Sequence, residues 1–308
     1  MSLPTVDPPQ TLESPSVAVP PIVAAARSVN RQLRLLCSSV PLAACTQCRL
    51  LRDQTQGANA VMDLFEEAAT GLVNGPGDEL GSHVLHVAKR KGMSRRSYDM
   101  YLPLPPLSTV MGVNSAAAYP GVLVGRVVPN AVGSVFSILQ RTDLLTDNAT
   151  AAVYHQDEAR MQWQEVCAVQ YEVNILGRKG PRKMNVVIHA VDNTGAPTSS
   201  TAAIDEGGPL MERFRCGLDT DPDIVPLCNK PPVWCTDTRS FILDFGGRVT
   251  VSSVKSFQLM HPTDKDYVVM QFGKVGQDSF TLDIRFPMSP VMALGVAVTS
   301  LDRKLACH

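Results

Sequence analysis

The feature that most constrains this chain is an apolar run near its C-terminus. From Val291 to Val298 the sequence reads V-M-A-L-G-V-A-V and contains no polar side chain. A helix that is apolar on every side must be buried on every side, either in a protein core or in lipid. Because a membrane-spanning helix needs roughly 20 apolar residues, the run is too short to cross a bilayer. Pro290 suits the first turn of a helix, whereas Gly295 and the valines are poor helix formers, so periodicity favours a helix but leaves a buried strand open.

The residues that precede this run have the pattern of short β-strands. Phe241, Leu243 and Phe245 alternate with their neighbours at a period of two, and the same period recurs from Tyr267. Gly246 begins a Gly-Gly pair of the kind that forms turns. Short alternating segments between turn residues predict an all-β barrel or sandwich.

The N-terminal quarter of the chain has a different composition. Residues 1–21 contain six prolines among small polar residues, which predicts a disordered tail. Ile22–Cys37 combines leucines and alanines with spaced arginines, which predicts a short helix with a basic stripe. Asn59–Val73 has apolar residues at helical spacing, which predicts an amphipathic helix. This region is therefore expected to be mainly helical or disordered.

A glycine-rich segment suggests where the main domain begins. The sequence G-P-G at residues 75–77 predicts a linker, and we place the domain boundary near Gly81. Residues 1–80 are then expected to form a separable arm that binds protein partners, and residues 82–308 to form the folded domain.

Net charge and cysteine spacing limit the possible partners. The formal net charge is −1, so the chain as a whole does not attract nucleic acid, and no nucleic-acid partner is expected. Cys45 and Cys48 form a C-x-x-C, but a structural zinc site usually needs two such pairs. No signal-peptide pattern begins the sequence, so the cysteines are expected to be thiols in a reducing compartment. We predict no metal site and no cofactor.

Motifs of hydrolytic enzymes are missing from the sequence. It contains neither a G-x-S-x-G nucleophile elbow nor an H-E-x-x-H zinc motif. His83 and His86 are close in sequence, but they are best interpreted as polar positions of a strand or loop. We therefore predict that the protein is not an enzyme.

Several long blocks resemble one known family. Ser240–Gly273 includes D-F-G-G-R-V-T-V-S-S-V-K-S-F-Q and D-Y-V-V-M-Q-F-G, and Gln164–Met184 ends in L-G-R-K-G-P-R-K-M. Further blocks are Lys89–Met93, Asn229–Trp234, and Ser300–His308, which reads S-L-D-R-K-L-A-C-H. These blocks resemble the conserved signature of tubby-like proteins. The resemblance implies a closed antiparallel β-barrel threaded by a central hydrophobic C-terminal helix, over residues 82–308.

The resemblance also implies a function. Tubby-like proteins bind phosphoinositides, notably phosphatidylinositol 4,5-bisphosphate, and act as membrane-recruited adaptors, several of them delivering membrane proteins to cilia. A nuclear, transcription-linked role has also been proposed for the family. We therefore expect a monomeric, cytoplasmic, peripheral membrane protein that recognises an anionic phosphoinositide surface, with the cilium or nucleus as further locations.

One segment resembles the lipid-binding part of the family. Residues 125–137 read G-R-V-V-P-N-A-V-G-S-V-F-S and resemble G-K-L-R-S-N-x-x-G-T-x-F-T. Arg126 takes the position of the family's lysine and Asn130 matches, whereas Val128 replaces the arginine that contacts lipid phosphate. The family's basic strand should lie within Leu102–Tyr119, which contains no Lys or Arg. The resemblance thus implies a weakened lipid site.

Two clusters of basic residues supply further candidates. Lys89 and Arg90 open the first cluster, and Lys179 and Lys183 belong to the second. A basic residue at an anionic membrane contributes about 1 kcal/mol to binding. We predict weak headgroup binding by Arg126, Asn130, Lys89, Arg90, Lys179 and Lys183. The alternatives are a protein-interaction scaffold that kept the barrel and lost the lipid pocket, and a nuclear factor.

Overall fold

The computed structural model describes ten segments of the chain. They are residues 31–55, 61–67, 80–90, 97–103, 121–145, 158–172, 183–198, 208–216, 221–237 and 239–302. The predicted proline-rich tail, the linker at residues 75–77, Lys179 and most of Leu102–Tyr119 lie outside these segments.

The described residues are mainly β-structure. The strands are β1 (Cys45–Asp53), β2 (Val61–Glu67), β3 (Leu80–Lys89), β4 (Tyr98–Leu102), β5 (Val122–Pro129), β6 (Val135–Arg141), β7 (Trp163–Tyr171), β8 (Met184–His189), β9 (Ile224–Asn229), β10 (Val233–Cys235), β11 (Ser240–Ile242), β12 (Phe257–His261), β13 (Asp264–Lys274) and β14 (Ser279–Arg285). Helices cover residues 31–37, Leu210–Arg215 and Pro290–Leu301, and 3₁₀ turns cover Asp143–Leu145 and Glu158–Arg160.

Twelve strands close into one antiparallel barrel. Their order is β1-β14-β13-β12-β9-β8-β7-β6-β5-β4-β3-β2, and β2 returns to β1, while β10 and β11 form a separate pair. Closure leaves no unpaired edge among these strands. The predicted fold class is therefore confirmed.

The apolar run forms the helix Pro290–Leu301, which we call the central helix, and every one of its residues is buried. Ser289 begins it, because its hydroxyl accepts a hydrogen bond from the Met292 N–H at 3.2 Å. Near its end, the Thr299 hydroxyl lies 2.8 Å from the Tyr171 hydroxyl of β7 and donates to the Val296 carbonyl at 2.7 Å. The helix alternative is thus confirmed, and its polar side chains are satisfied inside the barrel. In the described part of the chain, no helix reaches the length and apolarity of a membrane span.

The helix predicted for Asn59–Val73 is wrong where the structure describes it. Residues 61–67 form β2, which pairs with β1 on one side and β3 on the other. Met62 and Leu64 point into the barrel and are buried. Strand neighbours on both sides supply hydrogen bonds and burial that override the local helical spacing. Since β1 and β2 belong to the barrel, the domain boundary placed near Gly81 is also wrong.

The helix predicted for Ile22–Cys37 is confirmed for residues 31–37, but it does not belong to a separate arm. Leu33 and Leu36 are buried against the main core. Just after the helix, the Ser39 hydroxyl donates to the Pro287 carbonyl at 2.8 Å, and the Val40 N–H donates to the Met288 carbonyl at 2.9 Å. The described part of the predicted arm is thus integral to the barrel domain.

The alternating pattern at Phe241–Phe245 forms less strand than expected. β11 ends at Ile242, and residues 243–256 run without strand structure beside the barrel. Arg248 fixes this segment, because its Nε donates to Asp283 of β14 at 3.0 Å and its Nη1 donates to Glu67 of β2 at 2.6 Å. These ion pairs of Arg248, rather than strand pairing, hold the segment against the barrel.

Candidate anion-binding site

Arg126, the central residue of the predicted lipid site, lies on the outer face of β5. Its neighbours Gly125 and Val127 face the barrel interior, where a Cβ at Gly125 would approach Val291 of the central helix. Alternation along the strand therefore turns the Arg126 side chain outward. The side chain is nevertheless covered, since Arg126 is only 7% exposed.

An acidic and an aromatic side chain cover the Arg126 guanidinium. Its Nε donates to Asp99 Oδ1 on the paired strand β4 at 2.7 Å. The guanidinium carbon lies 4.6 Å from the ring centroid of Trp163, which gives a cation–π contact. The Tyr101 hydroxyl lies 3.5 Å from the other oxygen of Asp99. Because Arg126 is buried with a carboxylate, its charge is balanced inside the protein.

Glu158 connects Arg126 to a second predicted site residue. Its Oε2 accepts from Arg90 Nη2 at 2.7 Å, and its Oε1 lies 3.4 Å from Arg126 Nη2. The Glu158 side chain is 56% exposed, so this end of the cluster is open to water. Two guanidiniums thus converge on one accessible carboxylate, which is an arrangement that also suits a phosphate.

Lys89 is close in sequence to Arg90 but lies on the other face of the sheet. The backbone register aligns Lys89 with Tyr98 of β4 and Val127 of β5, one row beyond Arg126. Leu85 and Val87 face the core, so alternation places Lys89 on the inner face at the end of the barrel. The structure therefore does not bring Lys89 into the Arg126 cluster.

Asn130 has a role within a turn. Its Oδ1 accepts from the backbone N–H groups of Gly133, Ser134 and Val135 at 2.7, 3.1 and 3.2 Å. These bonds hold the tight connection between β5 and β6. The amide oxygen of Asn130, a residue that the resemblance assigned to headgroup binding, is therefore used to shape the turn.

Lys183 lies away from the Arg90–Arg126 cluster. It immediately precedes β8, which is three strands from β5 at about 4.8 Å per strand. Its side chain is 76% exposed, and its Nζ is 3.9 Å from Glu172. It can contribute to the electrostatic field of this barrel end without sharing a pocket with Arg126.

The C-x-x-C does not form a chelating pair. Cys48 points into the barrel and is buried, whereas Cys45 is exposed. Burial is the main reason that the pKa of Cys48 rises to about 12. Residues three apart in a regular strand face opposite sides, so these two thiols cannot bind one ion together.

Sequence reasoning missed the three residues that complete the cluster, Asp99, Glu158 and Trp163. Trp163 immediately precedes the recognisable block at Gln164, and this position was an available signal. Asp99 and Glu158 are ordinary acidic residues whose roles depend on strand pairing and on the connection between β6 and β7.

Comparison with known proteins agrees with this fold. The model of the Tub family matches residues 36–303. The chain is 33% identical over 274 residues to Tubby-related protein 3 of Homo sapiens, which covers 88% of this chain and 56% of that protein. It is 39% identical over 229 residues to Tubby-related protein 1 of Homo sapiens, covering 73% and 39% respectively.

A shorter match extends to a nematode relative. Tubby protein homolog 1 of Caenorhabditis briggsae is 47% identical over 149 residues, covering 47% of this chain and 35% of that protein. The chain thus spans from about a third to just over half of the length of these three relatives. Because the family model covers most of the chain, this protein belongs to the Tub family.

Proposed function

We propose that this protein is a non-enzymatic, phosphoinositide-binding membrane adaptor in which a headgroup phosphate replaces Glu158 between Arg90 and Arg126. The observation that carries the proposal is the convergence of two guanidiniums on one half-exposed carboxylate, at 2.7 and 3.4 Å. A phosphate offers more acceptor oxygens and more negative charge than a carboxylate, so it can bond both arginines more strongly. Membership of the Tub family supports this ligand class.

The internal acidic residues make this binding weak. Glu158 must leave before a phosphate enters, and Asp99 retains its 2.7 Å bond to Arg126 throughout. A hydrogen bond to a charged group contributes about 1.5–3 kcal/mol, and about 1.4 kcal/mol is a tenfold change in affinity. The loss of Glu158 contacts therefore reduces headgroup affinity by about tenfold or more. Val128, where the family has arginine, removes one further phosphate contact.

Removing the Glu158 charge tests the proposal directly. Glu158→Gln is expected to raise binding to liposomes containing phosphatidylinositol 4,5-bisphosphate by about tenfold, because the two arginines lose their internal anion. Co-sedimentation at low and physiological salt measures it, and the salt dependence reports the charge-driven part. Glu212→Gln is the matched control, since it removes the same charge from an exposed residue of another helix.

The complementary variant is Arg90→Ala. It should abolish the gain produced by Glu158→Gln, whereas Arg126→Ala is a poorer choice because it would strand the buried Asp99. If Glu158→Gln and wild type bind liposomes equally at low salt, the proposed exchange of anions is refuted. In cells, we expect a cytoplasmic protein at the inner membrane surface that loses this position on Arg90→Ala.

A second function is favoured by the separate hairpin formed by β10 and β11. Val233 and Ile242 are directly paired and are 67% and 44% exposed, so they form an apolar patch on one face. Such a patch suits a protein-interaction scaffold. If liposome binding is absent at both salt concentrations while Val233→Asp abolishes binding of a candidate membrane-protein cargo in solution, the scaffold function is preferred.

A further inference from the structure

Three polar side chains outside the anion-binding site converge on the surface of β2 and β3. His83 Nε2 lies 2.9 Å from Asp63 Oδ1, and His86 Nδ1 lies 2.8 Å from the same oxygen. The three potential ligand atoms lie within 4.8 Å of one another. We call this group the His-Asp cluster.

A β-bulge explains how both histidines reach the same side of the sheet. Residues three apart in a regular strand face opposite sides, so His83 and His86 should not meet. The register pairs Leu64 with Leu85 but Phe65 with His83, which leaves Val84 as an extra residue in β3. A bulge of this kind shifts the alternation and re-aims a side chain. Both imidazoles therefore face outward beside Asp63.

Neighbouring aromatic rings fix the orientation of the imidazoles. Phe65 stacks on His83 with ring centroids 4.7 Å apart, and Tyr101 lies 6.3 Å from the His86 ring. The three side chains are only partly buried, with 22–34% of their surface exposed, so an ion can reach them from solvent. The ligands are thus held in place and accessible.

The cluster places one carboxylate oxygen of Asp63 between two imidazole nitrogens, at 2.9 and 2.8 Å. A negatively charged oxygen flanked by two imidazole nitrogens is a common set of protein ligands for zinc.

We propose that Asp63, His83 and His86 bind a divalent transition-metal ion, with Zn²⁺ as the preferred cation. Zinc takes nitrogen and carboxylate-oxygen ligands at about 2.0–2.2 Å, and sites with three protein ligands leave a fourth position open. Small outward movements of the two rings make room for the ion. Each ring nitrogen that now donates to Asp63 then carries a lone pair to the metal, and its ring proton moves to the other nitrogen. The prediction of no metal site rested on the C-x-x-C, whereas the meeting of His83 and His86 with Asp63 depends on the pairing of β2 with β3.

Titration of the chelator-treated full chain with Zn²⁺ tests this proposal. Isothermal titration calorimetry should show one saturable site, and Zn²⁺ should raise the melting temperature because it binds the folded state. His83→Gln, His86→Gln and Asp63→Asn should each weaken binding by about tenfold or more, which is the scale of disturbed metal sites. Melting temperatures measured in chelator show whether each variant is folded. If His86→Gln is not folded, the test rests on His83→Gln, because His83 is the more exposed of the two histidines.

Two control variants test whether another histidine or a cysteine binds the Zn²⁺ instead. His261→Gln changes a partly exposed histidine at the β12–β13 turn and should leave Zn²⁺ affinity unchanged. Cys45→Ser should also have no effect, and Co²⁺ used in place of Zn²⁺ should give a spectrum without a thiolate charge-transfer band. The proposal is overturned if Zn²⁺ shows no saturable binding, if His83→Gln and His86→Gln together bind as wild type does, or if Cys45→Ser removes the site.

Discussion

Gly295 provides a sharp test of how the central helix packs. A Cβ added at this position would lie 2.7 Å from Ile138 Cδ1 and 2.8 Å from both Cγ atoms of the same side chain. Ile138 is fully buried on β6, and its β-branched side chain has few alternative rotamers. The glycine is therefore required by a close helix–strand contact and not by backbone conformation.

Two opposing effects decide the stability of Gly295→Ala. Alanine in a helix interior gains about 1 kcal/mol over glycine. Overpacking of a filled core costs about 1–3 kcal/mol. We expect Gly295→Ala to lower the free energy of unfolding by about 0–2 kcal/mol, the difference between these two ranges.

The sign of the effect should reverse when Ile138 is shortened. Ile138→Ala alone should destabilise by about 2–5 kcal/mol, because it leaves a cavity. In that background the clash is gone, so Gly295→Ala should stabilise by about 1 kcal/mol or more as its methyl fills part of the space. The coupling energy between the two sites should then fall within about 0.5–3 kcal/mol.

Equilibrium urea unfolding, followed by the fluorescence of Trp163 and Trp234, measures all four members of this cycle. Coincident circular dichroism curves would establish that unfolding is cooperative. If Gly295→Ala has the same effect with Ile138 and with Ala at position 138, the helix does not press on β6 as the structure shows, and the reasoning fails.

Two further predictions concern the barrel and a buried histidine. A fragment of residues 82–308 lacks β1 and β2 and should not unfold cooperatively, whereas a fragment of residues 31–308 should. Thermal unfolding of both fragments, followed by circular dichroism, measures this. A cooperative transition in the shorter fragment would contradict the observed barrel. Burial, and then the charge of Arg213, lowers the pKa of His189, although its ring nitrogen lies 2.8 Å from the Glu165 carbonyl oxygen. The unfolded state therefore binds more protons than the folded state below about pH 6.5. Stability should therefore fall as pH decreases from about 6.5. His189→Gln should flatten that slope, whereas the control His261→Gln, at a partly exposed histidine, should not. Equal slopes for the two variants would refute this.

The candidate site shows how far sequence reasoning reaches. Arg126 and Arg90 were recognised as basic residues of one region, and the structure brings both to Glu158. Their partner anions were not recognised, because Asp99 is defined only by its register opposite Arg126. Lys89 was grouped with Arg90 by adjacency, yet strand alternation separates their faces. Linear spacing therefore identified charges but not which of them share a surface.

The sequence by itself determined the central helix and the barrel class. Eight consecutive apolar residues after Pro290 can only be buried, and blocks that resemble a known family specified what surrounds them. Both signals lie in continuous stretches of sequence, so they can be recognised before the tertiary structure is known.

Only the tertiary structure decided the state of residues 61–67 and the meeting of Asp63 with His83 and His86. The apolar spacing of this segment fits a helix, but pairing with β1 and β3 provides more hydrogen bonds and burial than a helix would. The bulge at Val84 then places both histidines outward, a result that depends on the register of two strands. Strand pairing joins residues distant in sequence, and for that reason local periodicity does not reveal it.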